Sequence, residues 1–357
     1  MKFHTLPIQR LDRITSNSVR LTFDISSLKE EFAFKAGQYI TFKFNLKGEE
    51  LHRAYSICSA PGEDLFQVAV KEVEGGRASS HINRNLQAGD AMEVMAPQGN
   101  FVLEPTPATQ RHIVLFASGS GITPILSIAK MVLNNEPNSK VTLFYGNRSK
   151  SNIMFYDELD ALAKCGNLHV YHILSDGSLD MPLFNGRINF GKTLELLHNF
   201  TQDELPKSYF ICGPAGMMSA VNNALNDKGV DKSDINIEFF ENPGQEFQTA
   251  EKEVVPEVIE EPFDGTADIE ITLDDDTNSF EMKGDSMNLL EAAIQSGIDP
   301  PYSCRGGVCT TCRAHMSEGK VRMDSNFALT KQELEEGYIL TCQAHPLTKK
   351  IKLNFDE

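Results

Sequence analysis

Four cysteines are the residues best spaced to do chemistry. Cys304-Arg305-Gly306-Gly307-Val308-Cys309-Thr310-Thr311-Cys312 is answered thirty residues later by Cys342. A C-x4-C-x2-C run with a distant fourth cysteine is the spacing of plant-type [2Fe–2S] ligation. Four thiolates hold two irons and two sulfides only where the chain wraps closely around them. Gly306 and Gly307 suit such a wrap, because glycine accepts positive φ and lets backbone N–H groups turn toward sulfur. Donors aimed at sulfur also tune the cluster's potential. Zinc would call for paired C-x2-C units, and the chain has one; unrelated buried cysteines are the other alternative. The spacing makes Cys304, Cys309, Cys312 and Cys342 the expected metal ligands.

Other stretches offer contacts for phosphates and flat rings. Arg53-Ala54-Tyr55-Ser56 ends an expected strand, with Arg53 and Tyr55 on one face and Ser56 on the other. An arginine beside a tyrosine supplies a phosphate clamp and an aromatic wall. Gly75-Gly76-Arg77-Ala78-Ser79-Ser80-His81 opens a short helix whose first N–H groups and dipole favour an anion. Alone, the same residues also fit a hairpin turn or an N-cap serine. The apolar run His112-Ile113-Val114-Leu115-Phe116-Ala117 meets Ser118-Gly119-Ser120-Gly121-Ile122-Thr123-Pro124. Strand, tight glycine turn and helix start together make a pyrophosphate site. The motif is a shortened G-x-G-x-x-G, with Pro124 suited to a first helical turn. Beyond the strand 141–145 stands Gly146-Asn147-Arg148-Ser149-Lys150. Where the usual dinucleotide fold has an acid for the NAD ribose, Arg148 and Ser149 suit the 2′-phosphate of NADP; an ordinary polar loop is the alternative.

The elements that must position these residues fall into distinct textures. Up to about residue 105, short alternating runs such as 18–23, 39–44 and 66–71 are punctuated by glycine turns, which predicts an antiparallel β-barrel. Over 106–243, buried apolar strands at 112–117, 141–145, 169–174 and 208–212 alternate with helices, the first amphipathic through about Leu133. That pattern predicts a doubly wound α/β nucleotide-binding domain, with ligands at the carboxyl ends of its strands. Residues 244–265 are rich in Glu, Pro and Gln without periodicity and read as a flexible acidic linker. A compact α+β module follows over 266–357, with a strand at 268–273, a helix at 286–295 ended by Gly297, the cysteine loop, and a final strand near 350–353.

Composition narrows the classes. The 357 residues carry a formal charge of −17 and 41% hydrophobic side chains. Between 244 and 300 sixteen Asp or Glu face two Lys, a net of −14. Such a chain is a poor partner for nucleic acid and suits brief docking on a basic face. No apolar run reaches the roughly 20 residues of a membrane helix, and the N-terminus lacks a secretion signal's pattern. Seven cysteines, four of them given to iron, argue against a disulfide framework and for the cytoplasm.

In this order the motifs resemble the ferredoxin–NADP reductase superfamily with a plant-type ferredoxin of β-grasp fold fused at the C-terminus, and the resemblance covers essentially the whole chain. It implies that Arg53, Ala54, Tyr55 and Ser56 contact the flavin and its phosphates, with Val70 and Lys71 also at the cofactors. Gly75, Gly76, Arg77, Ala78 and Ser79 would hold the pyrophosphate of FAD, FMN being the alternative. Gly119, Ser120, Gly121, Ile122, Thr123 and Pro124 would bind NADPH, with Arg148 and Ser149 at its 2′-phosphate. Cys212 would lie near the nicotinamide, followed by Gly213, Pro214 and Met217. Glu238 and Phe240 match the family's acid and ring-stacking aromatic, and Ser56, Cys212 and Glu238 are the expected catalytic residues.

The same resemblance implies an enzyme in which flavin turns a two-electron donor into single electrons for the cluster. The expected acceptor is an oxygenase component of the di-iron phenylacetyl-CoA epoxidase type. Competing readings are a reductase for a Rieske or ketosteroid hydroxylase, a desaturase or a hybrid-cluster protein, or a non-enzymatic iron–sulfur sensor or carrier. Intact flavin and nicotinamide motifs speak against the last.

Overall fold

The structure, a computed structural model, describes residues 2–164, 166–177, 179–243, 263 and 265–357. Nearly all of the expected linker, and Cys165, lie outside the described residues. In the N-terminal part β1 (Phe3–Thr15), β2 (Ser18–Phe23), β3 (Tyr39–Leu46), β4 (Glu49–Ser56), β5 (Phe66–Lys71) and β6 (Ala91–Met95) form an antiparallel sheet in the order β4-β3-β6-β1-β2-β5. A bridge between Ile57, just past β4, and Val68 on β5 brings the two edges together and closes the barrel. Period-two alternation supplies its core: Ile40, Phe42 and Phe44 pack against Leu21, Phe23, Val68 and Val70. A short helix, α1 (Arg77–Asn85), plugs one end with Ala78 and Ile82 buried.

The second sheet is wholly parallel. Its strands β7 (His112–Ser118), β8 (Lys140–Asn147), β9 (Leu168–Leu174), β10 (Lys207–Cys212) and β11 (Ile235–Glu238) run in the order β11-β10-β7-β8-β9. Helices α2 (Ile122–Asn135), α3 (Tyr156–Ala163), α4 (Phe190–Phe200) and α5 (Ala215–Asp227) cover its faces. The order reverses between β7 and β10, which is the switch point where doubly wound sheets take ligands.

Helix α2 has the expected apolar and polar sides, yet neighbours cover its polar side as well. Ser127 donates to the Ser59 carbonyl at 2.6 Å, and the Lys130 ammonium lies 2.6 Å from Glu158. Arg20 of the barrel reaches the same Glu158 at 2.9 Å. Core residues of α2 pack together with Cys58, Ala60 and Ala69 of the barrel. Barrel and parallel sheet thus share one apolar interior through this helix.

The third sheet contains β12 (Thr266–Leu273), β13 (Asp276–Lys283), β14 (Arg313–Glu318), β16 (Tyr338–Leu340) and β18 (Lys350–Asn354), in the order β13-β12-β18-β14-β16, with β12 and β18 parallel. A small pair, β15 (Val321–Met323) with β17 (Ala344–Pro346), lies beside it. Helix α6 (Leu289–Gln295) packs on the sheet, and α7 (Lys331–Glu335) precedes β16. The start of α6 differs from expectation: Met287 is extended and Asn288 accepts from Glu291 N–H, so the helix begins three residues past 286. Gly297 ends it at φ +81°. No helix among the described residues is long and apolar enough to cross a membrane.

A buried ion pair fastens the segment joining barrel and parallel sheet. Glu136, fully buried after α2, takes a forked pair of bonds from Arg111 at 2.5 and 3.0 Å, and also accepts from Thr106 N–H and the Ser139 hydroxyl. Burial opposes its charge, but these donors win and hold it below its ordinary 4.5. Its contribution is therefore complete above that value and fades as pH falls through the lower folded-state value. Arg111→Ala should strand the carboxylate and lower stability at neutral pH by about 3 kcal/mol. Denaturant unfolding reads this directly, and a variant as stable as the parent would refute the pair's role.

Candidate functional site

The turns that follow β7 and β10 meet without space for a side chain. A Cβ on Gly121 would lie 2.1 Å from the Cys212 carbonyl oxygen, and one on Gly213 would lie 3.1 Å from Ser118 Cβ. Gly119, at φ +55°, turns the chain into α2 and is held by the Tyr145 hydroxyl donating to its carbonyl at 2.9 Å. No side chain caps α5, so its first N–H groups stay open to an anion, whereas the first of α2, Ile122 N–H, already donates to the Gly119 and Ser120 carbonyls. Both turns open on a cleft of about 1330 Å³ that Arg148, Met217 and Phe240 also line. Lys71, reaching over from the barrel, lines it too, and burial, with the charge of Arg148, holds its ammonium below the ordinary value. A groove with backbone donors and two cations fits a pyridine nucleotide's phosphates.

Several expected contacts sit behind this wall. Ile122, Thr123 and Pro124 are buried, and Thr123 shapes the turn by donating to the Ser120 carbonyl at 3.0 Å. Ser149 gives its hydroxyl to Asn152 at 2.7 Å. Cys212 is fully buried; burial, joined by the charge of Glu238, raises its thiol well above the usual range. Phe240 is 43% exposed at the cleft's rim, as an aromatic that leaves the edge open requires. Arg187 and Asp176 line the cleft as well; sequence reasoning missed them because their loops carry no motif.

On the barrel, β4 presents exposed Arg53, half-buried Ala54 and Tyr55, and buried Ser56. The turn before α1 is tight: a Cβ on Gly76 would lie 2.5 Å from Ser79 Oγ and 2.9 Å from the Val73 carbonyl, and Gly75 has φ +73°. Ser79 closes it by accepting from Val73 N–H at 3.1 Å. No side chain caps α1, which leaves its N–H groups available to a flavin's pyrophosphate. Arg77 turns away to Glu49 at 2.6 Å, and Val70 and Ala78 are buried in the barrel core.

The four cysteines converge. Cys304 and Cys309 sulfurs are 3.1 Å apart, and Cys342 bonds to both Cys304 and Cys312. Four sulfurs gathered in one place are what a binuclear cluster needs. Among the described residues no three His, Cys, Asp or Glu side chains enclose a point suited to a single ion. Gly306 N–H donates to Cys304 sulfur at 3.3 Å. Bonds from Cys309 and Cys342, with that N–H, hold Cys304 as a thiolate well below its ordinary range. Positive φ, expected of both glycines, is found at Gly307 (+74°) and at Arg305 (+53°), and not at Gly306. Gly306 stays small for another reason, since Asn242 packs 3.3 Å from where its Cβ would stand.

All three units meet at this loop. Cys212 is the register partner of Glu238 on β11, and Glu238 lines a small cavity together with Val308 and Cys309 of the loop; burial, helped by the charge of Cys304, pushes its carboxyl up to about 8. Phe239 packs on Phe327 with ring centroids 5.1 Å apart. His52 of the barrel stacks on Tyr302 at 4.5 Å and donates to its carbonyl at 3.1 Å, while the Arg305 guanidinium lies over the Tyr302 ring at 4.2 Å. Between 301 and 313, among the described residues, Arg305 alone is exposed.

Three protein families match in chain order: an oxidoreductase FAD-binding domain over 5–103, an oxidoreductase NAD-binding domain over 115–223, and a 2Fe-2S iron-sulfur cluster binding domain over 271–347. The chain is 37% identical to one of the subunits of the 1,2-phenylacetyl-CoA epoxidase of Escherichia coli, across 99% of this chain and 98% of that one. It is 32% identical to the ferredoxin reductase component of 3-ketosteroid-9-alpha-monooxygenase from Rhodococcus rhodochrous, across 96% and 93%. Its fold is similar to that of phthalate dioxygenase reductase, with a TM-score of 0.60 at 20% identity and coverage of 99% and 98%.

Gly121→Ala tests the cleft. The added methyl meets backbone rather than a yielding side chain, so the turns must part. Nucleotide affinity, followed by fluorescence titration, should fall at least about tenfold, since remaking such a backbone contact exceeds about 1.4 kcal/mol. Unchanged affinity would place the nucleotide elsewhere.

Proposed function

The chain belongs to the family of FAD- and NAD-binding oxidoreductases with a fused 2Fe–2S domain, and from that premise we propose that it carries electrons from NADPH to an oxygenase component. The observation that bears most weight is the seating of the cysteine loop against both other units, through Val308 and Phe327 on the parallel sheet and Tyr39 and His52 on the barrel. FAD, when bound, supplies the exchange of a two-electron donor for single electrons that a cluster can take. The chain's own task is placement. Gly119, Ser120, Gly121, Gly213 and Pro214 receive the nucleotide, Lys71 and Arg148 neutralise its phosphates, and Phe240 guards the rim. Arg53, Tyr55, Ser56 and the 76–79 turn hold the flavin, and Cys304, Cys309, Cys312 and Cys342 bind the irons. Cys212 lines the far side of the wall as a neutral thiol.

Residues 1–105, 106–243 and 266–357 serve as the flavin, nucleotide and iron–sulfur units. The acceptor is an oxygenase of the phenylacetyl-CoA epoxidase type, a reading supported by the E. coli relative. A ketosteroid-type oxygenase is the second reading, supported by the Rhodococcus relative. The net −14 between 244 and 300 favours a basic face on that acceptor, and the cysteine usage favours a cytoplasmic setting.

Purified protein given NADPH should reduce both ferricyanide and cytochrome c. Cys309→Ser should abolish the cytochrome c reaction and spare ferricyanide reduction; loss of both would defeat the idea of separable centres. Arg148→Ala should raise the KM for NADPH by about tenfold, the weight of a charged hydrogen bond, and that for NADH little. Equal changes for the two nucleotides would remove the 2′-phosphate from Arg148.

A further inference from the structure

Tyr39 stands at the junction of barrel and cysteine loop, where no motif pointed. It begins β3, and its register partner on β4 is Ser56, so the two side chains leave the same face of the barrel wall. Its backbone is fixed by reciprocal bonds with Gln98, both 2.9 Å. The ring lies flat over Gly99, where a Cβ would come within 2.9 Å of two ring carbons. The side chain is 4% exposed, and its hydroxyl leaves the barrel altogether. Thr310 N–H donates to it at 3.0 Å, and the hydroxyls of Thr310 and Thr311 lie 3.2 and 3.3 Å away. Thr310 directly follows the ligand Cys309, and Thr311 directly precedes Cys312. One buried phenol therefore ties the strand that faces the flavin residues to the backbone between two iron ligands.

We infer that Tyr39 is a positioning residue that seats the cluster loop on the flavin-binding barrel, so that passage of electrons from flavin to cluster depends on its hydroxyl and hydride uptake does not. The inference rests on the relay proposed above. Another buried bond crosses the seam, from His52 to the Tyr302 carbonyl at 3.1 Å, but it lies outside the run between the ligands. Asn100 donates to Glu333 at 2.8 Å in the open, where such bonds contribute little. The Tyr39 contact is sheltered, with the phenol buried and Thr310 half-buried, so an amide deprived of its acceptor there costs more than one in the open. Phenylalanine at 39 keeps the ring's packing on Gly99 and removes only the hydroxyl, with its bonds to Thr310 and Thr311.

The test uses the holoenzyme with FAD and cluster in place. After mixing with NADPH, flavin bleaching and cluster reduction are followed separately by stopped-flow absorbance, and hydrogen exchange is measured on the peptide containing Thr310. Tyr39→Phe should bleach its flavin at the parent rate, reduce its cluster about tenfold more slowly, and lose protection at Thr310. Asn100→Ala should match the parent in all three. Parent-like cluster reduction in Tyr39→Phe, equal slowing of both steps, or equal slowing in Asn100→Ala would each overturn the assignment. Were the parent itself to bleach its flavin yet leave its cluster oxidised, the relay would fall, and the inference with it.

Discussion

The close approach of two backbone turns organises this molecule. Gly121 touches the Cys212 carbonyl with no Cβ between them, so the carboxyl ends of β7 and β10 share one cleft. β10 then pairs with β11 in a register that sets Cys212 opposite Glu238, and the chain past β11 runs along the cysteine loop through Phe239 and Asn242. The cleft and the cysteine loop thus both adjoin one strand pair. Any residue larger than glycine at 121 would push these turns apart, whatever its polarity.

Two kinds of joint hold the units together. Barrel and parallel sheet share an apolar interior through α2, whose Ser127 and Lys130 are satisfied by barrel and α3 groups. Burying such a surface is favourable and non-directional, so these units behave as one body. The iron–sulfur unit adds a second kind: besides Val308 and Phe327, which pack into the parallel sheet's core, it is held by directional contacts, a phenol on an amide, an imidazole stacked on a tyrosine, an amide on a carboxylate. Each is specific in geometry and modest in net energy.

Sequence alone revealed much of this, for identifiable reasons. Residues 18–23 and 66–71 form strands with the limits their alternation suggests, because turn residues bracket them. The four cysteines gather as their spacing implies, since ligation leaves the chain little freedom. Burial of α2 on its polar side was not legible: Ser127 and Lys130 look solvent-facing until a barrel residue far away in the chain covers them. Positive φ at Arg305 rather than Gly306 accompanies contact with Asn242, again a distant residue. His52 with Tyr302, and Tyr39 with Thr310, are separated by 250 and 271 positions; no local pattern encodes a meeting between surfaces so far apart in the chain.

The exposure of the cysteine loop has a directional meaning. Arg305 is exposed and its neighbours Cys304 and Gly306 are half-buried, while Gly307, Val308, Cys309, Thr311 and Cys312 are buried. Any contact made with the loop from solvent is therefore confined to one short edge and led by one guanidinium.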